Sequence, residues 1–355
     1  MRIGVPSETK TLEGRVALVP AACADLISHG HEVYMQSGAG EKSGFANARY
    51  TQVGVRLVKD AAALYDKAEM IVKVKEPIEG DLKLLKKRHL LFCYLHLAPD
   101  PKLTRALLKI GLTGVAFESV QEADGSLPLL TPMSVVAGRL ATQVGTTLLH
   151  QPQGGKGKLL GGMAATERGK VVVLGAGVAG GNAALLAAAG GSNVVVFDKR
   201  PDRLTQARGW GANVTALYAY ESTVAEELEN ADLVIGAVLV PSAKAPHVVT
   251  RKMVKSMEKG SVLVDISIDQ GGCFETSKPT TWKDPTYVVD GVTHFCVTNM
   301  PGAVPQTSTQ AISAAILPYV LRLAQKNWRK DGVLASGINV AGGELVHPAL
   351  KGMKL

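Results

Sequence analysis

The stretch Lys170-Val171-Val172-Val173-Leu174-Gly175-Ala176-Gly177-Val178-Ala179-Gly180 decides the fold of this chain. Its run of apolar residues reads as a strand buried on both faces, and such strands belong to parallel sheets covered by helices. The glycines follow as G-x-G-x-x-G, and the Ala- and Leu-rich run 178–189 reads as the next helix. In that setting Gly175 makes a tight turn, Gly177 admits a pyrophosphate close to the backbone, and Gly180 lets helix and strand pack closely. The helix start adds N–H donors and partial positive charge for the phosphates. The following strand, Asn193-Val194-Val195-Val196-Phe197, is closed by Asp198, 18 residues beyond Gly180. A carboxylate there accepts from ribose hydroxyls and repels a 2′-phosphate, which favours NAD over NADP. Lys199, Arg200 and Arg203 follow directly and soften that preference.

The same alternation extends in both directions. Apolar runs at 233–237 and 261–266 continue this series of strands. Upstream, residues 2–5, 31–35, 55–58, 70–75, 90–96 and 113–120 read as strands, with helical patterns at 20–29, 60–68 and 101–110 between them. Strands alternating with helices imply crossover units and a mostly parallel sheet. Residues 309–325 read as a long amphipathic helix leaving the second series, and the last thirty residues hold no complete crossover unit. The expectation is an α/β protein of two doubly wound, Rossmann-like domains with a cleft between them. Residues 1–128 with 308–355 form a discontinuous substrate domain, and 129–307 form an NAD-binding domain inserted into it. The Gly-rich segment 151–167 reads as a linker or loop and does not meet the P-loop pattern.

Composition agrees with this class and excludes others. The 355 residues are 46% hydrophobic and 20% charged, unlike a disordered or coiled-coil chain. Glycine, 38 residues, is enriched to about 11% against a usual ~7%. The net charge of +8 comes from scattered basic residues. The densest run, Lys86-Lys87-Arg88, lacks interleaved aromatics and reads as a solvated face, not a nucleic-acid site. Cys23, Cys93, Cys273 and Cys296 form no CxxC, so reduced thiols in a cytoplasmic protein are expected, and no cluster has the spacing of a metal site. The longest charge-free stretch, 291–321, is broken by Pro301, Pro305 and Pro318, so no membrane span is expected.

Ligands of open α/β sheets lie beyond the carboxyl ends of the strands. Lys75, His96 and Asp269 stand where apolar runs stop. An imidazole titrates near neutrality, which makes His96 a candidate acid–base group; a structural histidine is the plain alternative. Lys75 is a candidate partner for a carboxylate or carbonyl oxygen, or a solvated strand-end lysine. Arg15, in the loop after the first strand, carries a fork able to grip a carboxylate with two hydrogen bonds. Asp269 is a candidate for orienting water or a hydroxyl, whereas Asp265 reads as a structural partner.

Longer strings are more specific than any of these positions. Arg2-Ile3-Gly4-Val5-Pro6-Ser7-Glu8-Thr9-Lys10, Glu13-Gly14-Arg15-Val16-Ala17-Leu18-Val19-Pro20 and Val74-Lys75-Glu76-Pro77 are followed by Pro132-Met133-Ser134 and Ala137-Gly138-Arg139-Leu140-Ala141. Beyond the glycine turn come Ile235-Gly236-Ala237-Val238-Leu239-Val240-Pro241, Val264-Asp265-Ile266-Ser267-Ile268-Asp269-Gln270-Gly271-Gly272-Cys273 and Asn299-Met300-Pro301-Gly302-Ala303-Val304-Pro305. With these strings the chain resembles, over almost its whole length, the family of bacterial alanine dehydrogenases and the NAD-binding part of proton-translocating transhydrogenase. The last thirty residues match that pattern poorly.

The resemblance implies roles position by position. Arg15 and Lys75 match the binders of the substrate carboxylate and carbonyl, His96 the catalytic acid–base, and Asp269 the essential aspartate. Tyr94, Leu130, Met133 and Asn299 fall at the substrate pocket. Ser134, Gly175, Gly177, Val178, Ala179, Gly180, Asp198, Arg203, Tyr220, Val238, Leu239 and Lys278 fall at NAD contacts, with the segments Ile266-Ser267-Ile268-Asp269 and Val297-Thr298-Asn299-Met300. Val135 replaces a usual Glu, Tyr220 a frequent Ser and Lys278 a common Arg; none of these removes a catalytic group. The implied reaction is reversible, NAD-dependent oxidative deamination of L-alanine to pyruvate and ammonium, in a homohexamer. The alternatives are a non-catalytic, transhydrogenase-like NAD(H)-binding subunit and a related dehydrogenase of another amino acid.

Overall fold

The computed structural model describes residues 1–238, 247–353 and 355. The chain divides into two compact units, one of Met1–Met133 with Gly302–Leu355 and the other of Ser134–Pro301. The first unit holds strands β1 (Arg2–Val5), β2 (Glu32–Gln36), β3 (Arg56–Val58), β4 (Met70–Val72), β5 (Leu90–Cys93) and β6 (Thr113–Ala116). The second holds β7 (Lys170–Leu174), β8 (Asn193–Asp198), β9 (Val214–Tyr218), β10 (Leu233–Gly236), β11 (Val262–Asp265), β12 (Thr286–Val289) and β13 (Val292–Phe295). The chain then returns to the first unit for β14 (Ile338–Ala341) and β15 (Glu344–Leu345).

Both sheets are doubly wound. The first runs β15-β14-β6-β5-β4-β1-β2-β3, parallel from β3 to β6. The second runs β12-β13-β11-β10-β7-β8-β9, parallel from β9 to β13. Each sheet carries an antiparallel edge, β14–β15 in one and β12 in the other. In each, the strand order reverses beside the first strand, between β1 and β4 and between β7 and β10, the kind of place where open α/β sheets take their ligands.

Helix starts follow local chemistry. Asp60 accepts from the Ala63 amide at 2.9 Å and starts the helix Ala61–Lys67; Asp100 accepts from Lys102 and Leu103 and starts Pro101–Ile110. Such caps satisfy amides that have no partner within the helix. The long helix Pro305–Leu323 starts a turn earlier than its sequence pattern suggests, with proline at its first position, and belongs to the first unit. The cores are mostly aliphatic, as the composition implies: Leu64, Leu91, Leu107 and Val340 in the first unit, Val172, Val234, Leu263 and Val292 in the second.

Three strands of the first unit stop short of the sequence expectation, and the reason bears on the site. β4 ends at Val72 and not at Lys75, because the amides of Val74 and Lys75 donate to the Glu8 carboxylate at 2.6 and 3.3 Å. β5 ends at Cys93 and not at His96, because Leu95 and His96 donate to Glu118. β6 ends at Ala116, where a 3-10 turn, Phe117–Ser119, brings Glu118 to that position. Carboxylates replace the sheet neighbours as acceptors just where the candidate side chains emerge.

Candidate active site

In the first unit the candidate residues gather beyond the carboxyl ends of β1, β4 and β5. Arg15 follows β1 and is 2% exposed. Its Nε and Nη2 donate to Oε1 and Oε2 of Glu13 at 2.7 and 2.6 Å, and its Nη1 approaches the Met133 sulfur at 3.1 Å. Burial works against the Arg15 charge, and the Glu13 hydrogen bonds and charge outweigh it, with Tyr94 and Glu8 also acting on it. The fork assigned by sequence to a substrate carboxylate is therefore engaged on one edge by Glu13.

Tyr94 is buried, and its hydroxyl donates to the Leu129 carbonyl at 2.6 Å, just before Leu130. Its ring stacks on His96, with centroids 5.6 Å apart and planes 8° from parallel. His96 is half-buried and holds a left-handed backbone, φ 46°. Lys75 is half-buried beside Glu76, whose carboxylate feels Lys75, Lys10 and His96. The structure thus brings Arg15, Met133, Tyr94, His96 and Lys75 to one end of one sheet.

The second unit carries the cofactor candidates at the ends of β7, β8, β10, β11 and β13. The glycine turn leads into the helix Val178–Ala189, whose first residue, Val178, is exposed. A Cβ on Gly180 would lie 1.8 Å from the Gly175 carbonyl oxygen, so no side chain fits there. A Cβ on Gly138 would meet the Ala179 carbonyl oxygen at 2.0 Å, which presses the helix Thr131–Leu148, containing Ser134, onto the turn. Bare backbone at a helix start is the cradle a pyrophosphate requires.

Asp198 is tied into that cradle. Its Oδ2 accepts from the Ala176 amide at 2.8 Å and faces Arg203 Nη1 at 3.5 Å, while Oδ1 accepts from the Arg200 amide at 2.9 Å. It therefore shapes the glycine turn. Tyr220 is exposed against Tyr218, ring centroids 4.7 Å apart, and Lys278 is exposed.

After β11 the chain forms the 3-10 turn Ile266–Gln270, started by Asp265. Asp265 is fully buried and accepts from the Ser267 and Cys273 amides and the Ser277 hydroxyl, the structural part its sequence position suggested. Asp269 on the same turn is exposed, Ile268 is buried, and the Ser267 hydroxyl donates to the Val238 carbonyl at 2.8 Å. Beyond β13, Val297 and Met300 are buried, Thr298 and Asn299 half-buried, and Asn299 has φ 59°. Leu239 lies outside the described residues.

The second layer of carboxylates escaped the sequence reading. Glu8, Glu13 and Glu76 sit inside the quoted strings and could have been flagged as acids in loops that follow strands. Glu118 carries no local signal, since its partners lie at Leu95 and His96.

A glycine turn at the reversal of one doubly wound sheet, with cationic and titratable groups at the reversal of another, defines the class of dinucleotide-linked oxidoreductases. The chain belongs to the alanine dehydrogenase/PNT family, whose N-terminal domain model matches residues 4–137 and whose C-terminal domain model matches 141–348. The second match runs into the last thirty residues, which corrects the expectation that the resemblance fades there. Among relatives, the alanine dehydrogenase of Halomonas elongata is 48% identical over 355 residues, covering 99% of this chain and 96% of the relative. An L-alanine dehydrogenase structure, 46% identical, matches with a TM-score of 0.95 over 99% of this chain and 98% of its own. A transhydrogenase from Sinorhizobium meliloti, 25% identical, matches with a TM-score of 0.86 over 98% and 100%. Among the described residues no helix is long and apolar enough to cross a membrane.

Proposed function

We propose that the chain catalyses reversible, NAD-dependent oxidative deamination of L-alanine to pyruvate and ammonium. The observation that carries this reading is the stacked Tyr94–His96 pair, joined at one sheet end by Arg15 and by Lys75 with Glu76. Family membership and relatives named alanine dehydrogenase support the substrate.

In this reading Arg15 and Lys75 bind the substrate carboxylate and carbonyl oxygen. Tyr94, Leu130 and Met133 bound a pocket for a small side chain, and Asn299 is assigned to the substrate as well. His96 takes a proton from the water that attacks the imino carbon and returns it to the leaving amine, the part of a general acid–base. Asp269 orients that water and favours the cationic imine. NAD, when bound, supplies the acceptor for the hydride that leaves Cα. The chain holds it by the glycine turn, Ser134, Asp198, Arg203, Tyr220, Val238, Leu239, Lys278 and the segments 266–269 and 297–300. The accompanying assembly is a homohexamer, which sedimentation mass tests.

Oxidation of NADH with pyruvate and ammonium, compared with larger 2-oxo acids and with no acceptor, tests the reading. Turnover fastest with pyruvate and dependent on ammonium is expected. Preference for a larger acid indicates a related amino-acid dehydrogenase, and no turnover with any acceptor indicates a subunit that only binds the dinucleotide.

A further inference from the structure

The basic run Lys86-Lys87-Arg88 divides in the structure. Lys86 pairs with Asp66 at 3.1 Å, whereas Lys87 and Arg88 line a cavity of about 460 Å³. That volume lies in the range of small-molecule sites, about 300–1,000 Å³. The cavity spans the amino ends of four neighbouring strands: Arg2 opens β1, Glu69 precedes β4, Leu90 opens β5 and Thr113 opens β6. Arg15, Lys75 and His96 follow the carboxyl ends of β1, β4 and β5, so the cavity lies at the other end of the sheet. Trp328 and Arg329, far along the chain but in the same unit, complete the wall.

Arg2, Lys87, Arg88 and Arg329 line this cavity against the one carboxylate of Glu69. The arginines are held by bonds that leave N–H donors to spare, since a guanidinium carries five. Arg88 Nη2 donates to the carbonyls of Tyr65 and Asp66 at 3.0 and 2.6 Å. Arg329 Nη2 donates to the Thr113 hydroxyl at 2.9 Å, and its guanidinium lies over the Trp328 ring, 4.9 Å from the centroid. Arg2 Nε stands 3.6 Å from Glu69 Oε2. Lys87 is exposed and adds a fourth charge. His89, in the wall, registers the field: burial lowers its pKa, and the Arg88 and Lys86 charges lower it further against its bond to the Tyr65 carbonyl.

Like charges around one cavity repel, and an anion among them offsets that repulsion. Held guanidinium forks match phosphate oxygens with paired hydrogen bonds. Four cations against one carboxylate, spread over four strand ends, suit an anion with several charges and oxygens at more than one place. We propose that this cavity is a second ligand site, which takes a small diphosphate-bearing anion. The competing role is structural, in which the arginines only tie strand and helix ends together beside solvent.

The test is calorimetric titration of the full chain with inorganic pyrophosphate. Salt at about 0.15 M screens non-specific attraction. NADH at saturation fills the glycine turn, which is also built for phosphates. One pyrophosphate per chain is expected to bind. Arg329→Gln combined with Lys87→Gln should raise its dissociation constant at least about tenfold, the loss expected for a charge-assisted hydrogen bond. The NADH dissociation constant and the pyruvate KM should stay within about twofold of wild type. If thermal melting shows that the double variant does not fold, Lys87→Gln alone decides, with an expected rise of about threefold or more. No binding by wild type, equal binding by wild type and variant, or a matching loss of NADH binding overturns the site. None of these results bears on the amino-acid dehydrogenase reading.

Discussion

The main-chain N–H of His96 donates to Oε1 of Glu118 at 2.7 Å, and the residue so held has φ 46°. Of five non-glycine residues with positive φ among the described residues, His96 and Asn299 are both site candidates. Left-handed backbone at a histidine costs energy and persists only where its surroundings impose it. Here a carboxylate bonded to two successive amides imposes it, and the Tyr94 ring stacked on the imidazole sets the plane.

Removing that hold should therefore act on turnover through His96. Glu118→Ala leaves the Leu95 and His96 amides without their acceptor, at about 1–3 kcal/mol each. A displacement of about 1 Å at a reacting group costs about 10²-fold. Turnover should fall about 10- to 10²-fold, with NADH affinity, read by fluorescence titration, unchanged. His96→Ala should lose at least about 10²-fold. Full turnover in either variant would count against the acid–base assignment.

Arg15 and Glu13 form a buried pair, 2% and 0% exposed at their side chains. Breaking such a pair costs about 3–5 kcal/mol, while replacing both members with apolar groups is often neutral. Arg15→Met should therefore lower stability by that amount and abolish turnover. Arg15→Met with Glu13→Leu should recover most of the stability, measured by urea unfolding, and none of the activity. Recovery of activity as well would show that Arg15 serves only the fold.

The glycine turn makes a sharper prediction in the second unit. Gly180→Ala forces a methyl group against the Gly175 carbonyl oxygen, and overpacking of this kind costs about 1–3 kcal/mol. If the turn is the dinucleotide cradle, the NADH dissociation constant should rise at least about tenfold while the pyruvate KM holds. Fluorescence titration with NADH reads the first and the steady-state assay the second. NADH binding equal to wild type would mean that the turn is not the cofactor site.

Two buried histidines set a pH dependence of stability. His89 accepts from the Lys86 amide and bonds the Tyr65 carbonyl at 2.8 Å, and His294 bonds the Val292 carbonyl at 3.0 Å and the Thr276 hydroxyl at 2.7 Å. Burial lowers both pKa values, against the carbonyl bonds that raise them. The unfolded chain therefore takes up these protons first, near the ordinary value of about 6.5. Their contribution to stability is whole above that pH and is lost as pH falls below it. The melting temperature should decline between about pH 7.5 and 5.5, and His89→Gln should decline less steeply. Equal slopes in wild type and variant would exclude His89 as a source.

Much of this architecture is legible from neighbours along the chain. Buried strands announce themselves as apolar runs, the glycine turn by its spacing between strand and helix, and Lys75, His96 and Asp198 by standing where such runs stop. Those features depend on local sterics and periodicity, which a linear string contains. The partners that make them a site do not. Glu118 reaches the His96 amide only because β6 ends beside β5, Glu8 reaches Lys75 only because β1 pairs with β4, and Ile338 joins the sheet on Val115 from the far end of the chain. Tertiary structure alone decided where β4 and β5 stop, that one edge of the Arg15 fork is engaged, and that Arg2, Lys87, Arg88 and Arg329 line one cavity. A hydrogen bond at a strand end is awarded by distance in space, and folding brings the acceptor there from a part of the chain that carries no mark of the donor it will meet.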